Sequence, residues 1–185
     1  ELGESLGFRT KNIDGYCGYL EFGEGNELVG IIGHLDVVPA LEEDGWTTPP
    51  FSPCIRDGKL FGRGSIDDKG PVIASLYAMK AIKDSTKISK RVRLIVGLNE
   101  EKNWKCIDYY KHHEEWPTIG FSPDADFPAI YAEKGIMSIE LKNAISIKDV
   151  ISQHVKPMVP GVVRTSVSQG DTERGFGHFN MYGNV

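Results

Sequence analysis

A histidine and an aspartate stand two residues apart at the end of an apolar run, Val29-Gly30-Ile31-Ile32-Gly33-His34-Leu35-Asp36-Val37-Val38-Pro39. Side chains at i and i+2 of an extended chain point the same way, so His34 and Asp36 can act together just past the strand's end. A metal-bound imidazole commonly passes its second N–H to a carboxylate. An ordinary strand-to-loop exit would carry the same two residues. Three further acidic pairs follow: Asp67-Asp68, Glu100-Glu101, and Asp124 with Asp126. One histidine among several carboxylates is a ligand set for zinc, manganese or cobalt, and not a thiolate site. So many carboxylates brought together without cations would repel one another, and some would have to stay protonated. Two divalent ions about 4 Å apart, sharing a carboxylate and a water, are the usual hydrolytic solution. Adjacent Glu100 and Glu101 allow a division of labour, one binding metal while its neighbour takes a proton from water. A solvated acidic turn is the plainer reading of that pair. Helix capping and dipole complementation are the plainer reading of Asp67-Asp68, although two adjacent aspartates exceed what one cap needs.

The elements that must position these residues can be read from periodicity. The β-branched run before His34 suits a strand covered on both faces. Residues 15–22 read as a short strand between glycine turns. Residues 39–58 form a long proline-containing loop with Trp46 and the acidic Glu42, Glu43 and Asp44, and loops of that length in compact domains are often functional. Residues 59–61 are a short extended piece before Gly62-Arg63-Gly64. Val72, Leu76 and Met79 recur at helical spacing, with Ile73 and Tyr77 widening the apolar face, and Pro71 suits the first turn. Asp67 and Asp68 therefore lie just before a helix. Residues 91–97 read as a second buried strand leading into Glu100-Glu101, residues 104–110 as a helix, residues 118–121 as a third apolar run leading to Asp124, and residues 135–141 as a last strand. The alternation is that of an α/β domain with a mostly parallel or mixed central sheet flanked by helices. Ligands of such sheets bind beyond the carboxyl ends of the strands, so the acidic pairs are expected on one rim. Residues 142–185 lose the alternation.

The 185 residues, 40% hydrophobic and 25% charged, describe a globular chain. A net charge of -5 without a basic patch excludes a nucleic-acid partner. No apolar run approaches the roughly 18 residues of a membrane span. Cys17, Cys54 and Cys106 are odd in number and far apart, which favours free thiols and a reducing, cytoplasmic setting.

A set of motifs in fixed order resembles a known family. His-Leu-Asp-Val-Val-Pro at 34–39, Gly-Trp at 45–46, Pro-Phe at 50–51, Gly-Arg-Gly-Ser-Ile-Asp-Asp-Lys-Gly-Pro at 62–71, Asn-Glu-Glu at 99–101, Ser-Pro-Asp-Ala-Asp-Phe-Pro at 122–128 and Glu-Lys-Gly at 133–135 are similar to the di-zinc peptidases that include carboxypeptidase G2, aminoacylase-1 and carnosinase. The Trp-Lys-Cys at 104–106 and the 122–128 stretch most resemble the PepV-type bacterial dipeptidases. The resemblance covers residues 15–141. It implies that His34 binds one metal with Asp124, that the Asp36 carboxylate orients His34, that Asp67 bridges two metals, with a cis Asp67–Asp68 peptide, that Glu101 binds the second metal and that Glu100 is the general base. It implies a zinc-dependent hydrolase, with manganese or cobalt also suited, acting on dipeptides or other small peptides. A deacylase or desuccinylase of N-acyl amino acids, and a non-catalytic metal-binding fragment, are the alternatives. On this reading residues 1–141 are the catalytic domain, incomplete at the N-terminus. Residues 142–185 hold remnants of a lid domain or segments joined across gaps, so the lid is absent or only partly represented. Two histidines of the family pattern lack a counterpart, the second metal ligand and a lid histidine for the oxyanion. The faint alignment puts Ser168 at the lid position, and the tail histidines His154 and His178 sit in no matching motif. The oligomeric state is left open.

Overall fold

The computed structural model describes residues 1–41, 44–126 and 129–130, with the strands Ile136–Leu141, Arg164–Val167 and Gly177–Tyr182. The chain divides into two compact units, Glu1–Asp126 and Phe127–Val185. The first unit holds every proposed site residue. In it follow α1 (Leu2–Ser5), β1 (Arg9–Ile13), β2 (Cys17–Phe22), β3 (Leu28–His34), β4 (Cys54–Arg56), β5 (Lys59–Phe61), a π-helical turn at Ser65–Lys69, α2 (Gly70–Ser85), β6 (Arg91–Gly97), α3 (Lys105–His113) and β7 (Ile119–Phe121). The second unit contains β8 (Ile136–Leu141), β9 (Arg164–Val167) and β10 (Gly177–Tyr182), an antiparallel sheet in the order β8-β10-β9. Strand β8 falls within the second unit. His154 and Ser168 lie outside the described residues.

The five-stranded sheet of the first unit runs β1-β2-β6-β3-β7. It is mixed: β1–β2 and β2–β6 pair antiparallel, whereas β6–β3 and β3–β7 pair parallel. Alternation along the strands sends neighbouring side chains to opposite faces. Ile31 and Leu94 join Phe8, Phe22, Val72, Leu76 and Met79 on the face covered by α2. Ile95 joins Ile13, Cys17, Cys106, Ile107 and Tyr110 on the face covered by α3, with Ile32 packed against them. Helix α2 buries Val72, Ser75, Leu76 and Met79, a stripe at i, i+3, i+4 and i+7. The stripe is narrower than the sequence pattern implies, because Ile73 and Tyr77 are 41% and 52% exposed. No described helix is long and apolar enough to cross a membrane.

The α3 face also carries a buried charge ladder. Glu21 on β2 stands directly opposite Arg93 on β6. Arg93 donates to Glu21 through Nε at 2.7 Å and to the Tyr110 hydroxyl at 2.7 Å, and its guanidinium lies 3.9 Å from the centre of the Tyr19 ring. Arg9 reaches the other Glu21 oxygen at 3.0 Å. Both side chains of the central pair are less than 10% exposed. Removing one partner of such a pair strands a buried charge. Glu21→Ala is expected to lower unfolding free energy by about 3–5 kcal/mol, read as a shift in the midpoint of a denaturant transition.

Candidate metal centre

Three adjacent parallel strands build the site. β3 lies between β6 and β7, and His34 at its end is in register with Gly97, the last residue of β6. The ladder closes with the Leu35 N–H donating to Gly97 O at 2.9 Å. Glu100 and Glu101 follow β6 by three and four residues, and Asp124 follows β7 by three. Asp67 and Asp68 come from the kinked turn Ser65–Lys69 that runs into α2, Asp67 itself being non-helical (φ -122°, ψ 98°). Parallel strands ending side by side thus bring together groups that are far apart along the chain.

His34 is the centre, with 1% of its surface exposed. Its Nε2 lies 3.0 Å from Asp67 Oδ1, 3.3 Å from Asp124 Oδ2 and 3.7 Å from Glu100 Oε2. Its Nδ1 lies 3.0 Å from the main-chain carbonyl of Asp36 and 3.5 Å from the Asp36 carboxylate. The Asp36 carboxylate accepts the N–H groups of Glu100 and Glu101, each at 3.1 Å. The Asp67–Asp68 peptide is cis. Two overlapping sets, His34/Asp67/Asp124 and His34/Glu100/Glu101, each offer one donor atom per residue within 4.8 Å of the others. Imidazole nitrogen with carboxylate oxygens suits a divalent ion of the zinc, manganese or cobalt kind. The residues therefore fit a metal. The six residues singled out in the sequence all meet here. Among the described residues His34 is the one imidazole of the cluster. His112 and His113 sit on exposed α3 positions, with Nδ1 of each 2.7 Å from a carbonyl of its own helix.

Asp68 is a participant that the residue pattern leaves between capping and function. It is fully buried, and its Oδ2 accepts the His34 N–H at 3.1 Å, while Oδ1 has no hydrogen-bond partner. Burial, with Asp124 and Asp67 adding like charge, pushes its carboxyl up to about 6. The approach needs a glycine at 33: a Cβ there would come within 2.6 Å of both Asp68 Oδ2 and Val72 Cγ2. The doublet Asp67-Asp68 was the available signal; the need for Gly33 had none. Beside the cluster a small recess is lined by His34, Glu100, Asp124, Trp104, Cys106 and Ile107. Trp104 adopts a left-handed backbone, φ 58°, uncommon for so large a residue.

Electrostatics follow from this crowding. Burial disfavours the charged His34 ring, but the Asp36 carbonyl and the carboxylates of Asp124, Glu100 and Asp68 outweigh it, and the pKa is raised. Burial raises the Glu100 pKa; Asp124, Glu101 and Asp36 add to the rise and His34 opposes it. In the metal-free protein both groups therefore hold protons more firmly than in water.

One buried imidazole ringed by carboxylates at the ends of parallel strands defines an α/β domain with a candidate divalent-metal centre. The chain belongs to the peptidase family M20/M25/M40, whose family model matches residues 30–166. Membership carries divalent-metal use with it. The chain is 55% identical over 142 residues to "Putative dipeptidase YtjP" of Bacillus subtilis (strain 168), covering 76% of this chain and 30% of that relative. It is 45% identical, with the same coverage, to a protein of Staphylococcus haemolyticus (strain JCSC1435) also named "Putative dipeptidase". The chain thus spans less than a third of the length of these relatives. Two solved structures share the fold. One is a M20 family metallo-carboxypeptidase from Sulfolobus solfataricus, at TM-score 0.59 and 22% identity over 75% of this chain and 36% of that one. The other is aminopeptidase PepT from Bacillus cereus ATCC 10987, at TM-score 0.56 and 12% identity over 97% and 57%.

Two outcomes are expected. Metal binding displaces the His34 proton. Because the folded pKa lies above the ordinary 6.5, competition begins above that pH and grows as pH falls. Apparent zinc affinity should fall by about tenfold per pH unit for each proton displaced, measured by titration against a chelator. Gly33→Ala should force Asp68 and Val72 aside, costing about 1–3 kcal/mol in denaturant unfolding and lowering metal content by elemental analysis.

Proposed function

We propose that the full-length protein is a metallopeptidase that hydrolyses the amide bond of dipeptides or other small peptides. The observation that carries this reading is the Glu100 carboxylate, 3.7 Å from the His34 Nε2 that Asp67 and Asp124 also approach. A purely structural metal site has no use for a further carboxylate at that point; a hydrolytic one needs a base there. The dipeptidase names of the relatives support the substrate class.

In this reading His34 and Asp124 would hold one divalent ion and Glu101 a second, with Asp67 available to both. Zinc is the first choice, with manganese or cobalt also suited. Bound divalent ions would supply Lewis acidity and an acidified water. Glu100 takes the proton of the attacking water and returns it to the leaving amine as the C–N bond breaks. In the metal-free protein its raised pKa makes Glu100 a stronger base than a free carboxylate, which favours the first half of that exchange. Asp36 fixes the His34 tautomer through its main-chain carbonyl, leaving Nε2 free to bind metal. The three unpaired cysteines support a cytoplasmic location.

Glu100→Gln in the full-length protein should keep its metal content while turnover of dipeptides falls by about 10²–10⁴-fold. Near-normal turnover would remove Glu100 from the base role. Cleavage of N-acyl amino acids in place of dipeptides would overturn the substrate assignment.

A further inference from the structure

The side chain of Asp36 has a different task from its backbone. Beyond the paired residues His34 and Gly97, the ladder between β3 and β6 ends. The chain after β6 must then turn so that two glutamates face the site. Both carboxylate oxygens of Asp36 engage that turn: Oδ1 accepts the Glu100 N–H and Oδ2 the Glu101 N–H, each at 3.1 Å. A carboxylate that receives two consecutive amides fixes the orientation of that backbone. The His34 ring leans elsewhere. Its Nδ1 is 3.0 Å from the Asp36 carbonyl, closer than the 3.5 Å to the carboxylate. A carbonyl acceptor survives any substitution of the side chain.

We infer that the Asp36 carboxylate is a positioning residue for the Glu100–Glu101 turn, and that it governs the metal held by Glu101 and not the metal held by His34 and Asp124. The inference rests on the two-metal reading of the site. Asp36 thereby links the halves of the centre, its carbonyl serving the imidazole and its carboxylate serving the glutamates. Asparagine cannot replace it, because one amide end has hydrogens to donate where an N–H already points.

The test is zinc titration of the metal-free full-length protein by calorimetry, with a competing chelator. The variants are Asp36→Ala, Asp36→Asn, Glu101→Ala and Asp36→Ala/Glu101→Ala, each checked for cooperative unfolding. Loss of outer supporting groups typically weakens metal binding by about 10–100-fold. Asp36→Ala and Asp36→Asn should each weaken one of two zinc sites by about that factor and leave the other within about twofold. The weakened site should be the one that Glu101→Ala removes, so Asp36→Ala should cause no further loss in that background. Equal weakening of both sites, or a further loss of the remaining site in the double variant, would overturn the inference and return the carboxylate to His34. Wild-type protein that binds a single zinc, or none, defeats the two-metal reading itself, and the inference with it.

Discussion

The centre is governed by a charge constraint. Three carboxylates approach a single buried nitrogen within 3.0–3.7 Å. Two more flank the same residue, Asp36 with its carboxylate 3.5 Å from Nδ1 and the fully buried Asp68 on the His34 N–H. At such distances like charges of this density are compatible with a folded protein only if protons or cations are shared among them. The raised pKa values of His34 and Glu100 are the metal-free expression of that constraint. Divalent ions are its other solution, and the donor chemistry matches them. Stability and chemistry therefore draw on the same cluster.

The sheet makes the cluster affordable elsewhere in the domain. Apolar side chains of β3 and β6 alternate between two covered faces, so the central strands are held by packing on both sides. The one large polar intrusion, Arg93 with Glu21, is neutralised across the β2–β6 pair and capped by Tyr110. Asp68 adds a second tie. It binds the backbone at His34 from the segment entering α2, and Gly33 gives it room. Strand end, helix entry and glutamate turn are thereby locked to one another by carboxylates that accept backbone amides.

Much of this was legible in the chain. The β-branched run before His34 and the run at 91–97 could hardly be anything but buried strands, and both appear with nearly the expected bounds as β3 and β6. A His–Asp pair after one run and acidic pairs after two others give a shared rim once the strands are parallel neighbours, which they are. Less visible was what depends on tertiary proximity. β1 (Arg9–Ile13) is largely exposed and mostly polar, without the alternation that marks a half-buried strand. Strand β4 hides in a loop rich in turn residues, whereas its partner β5 falls on the extended piece expected at 59–61. Ile73 and Tyr77 fit a helical stripe by spacing, yet the sheet covers only the narrower face. No pattern in one dimension reveals that the Asp36 carboxylate bonds to amides 64 and 65 residues later.

The parallel pairing of β3 with β6 has a temporal meaning. The β1–β2 hairpin joins neighbours in sequence and can close early. The pairing of His34 with Gly97 must wait until the whole stretch between them, with its long loop and α2, has been drawn in. Loop closure over such a span is entropically slow, and parallel strands suffer it most. The metal centre thus depends on closing a long stretch of chain, at a larger entropic cost than the β1–β2 hairpin carries. Ions held by His34 and the glutamates together would therefore require β3 and β6 to lie side by side.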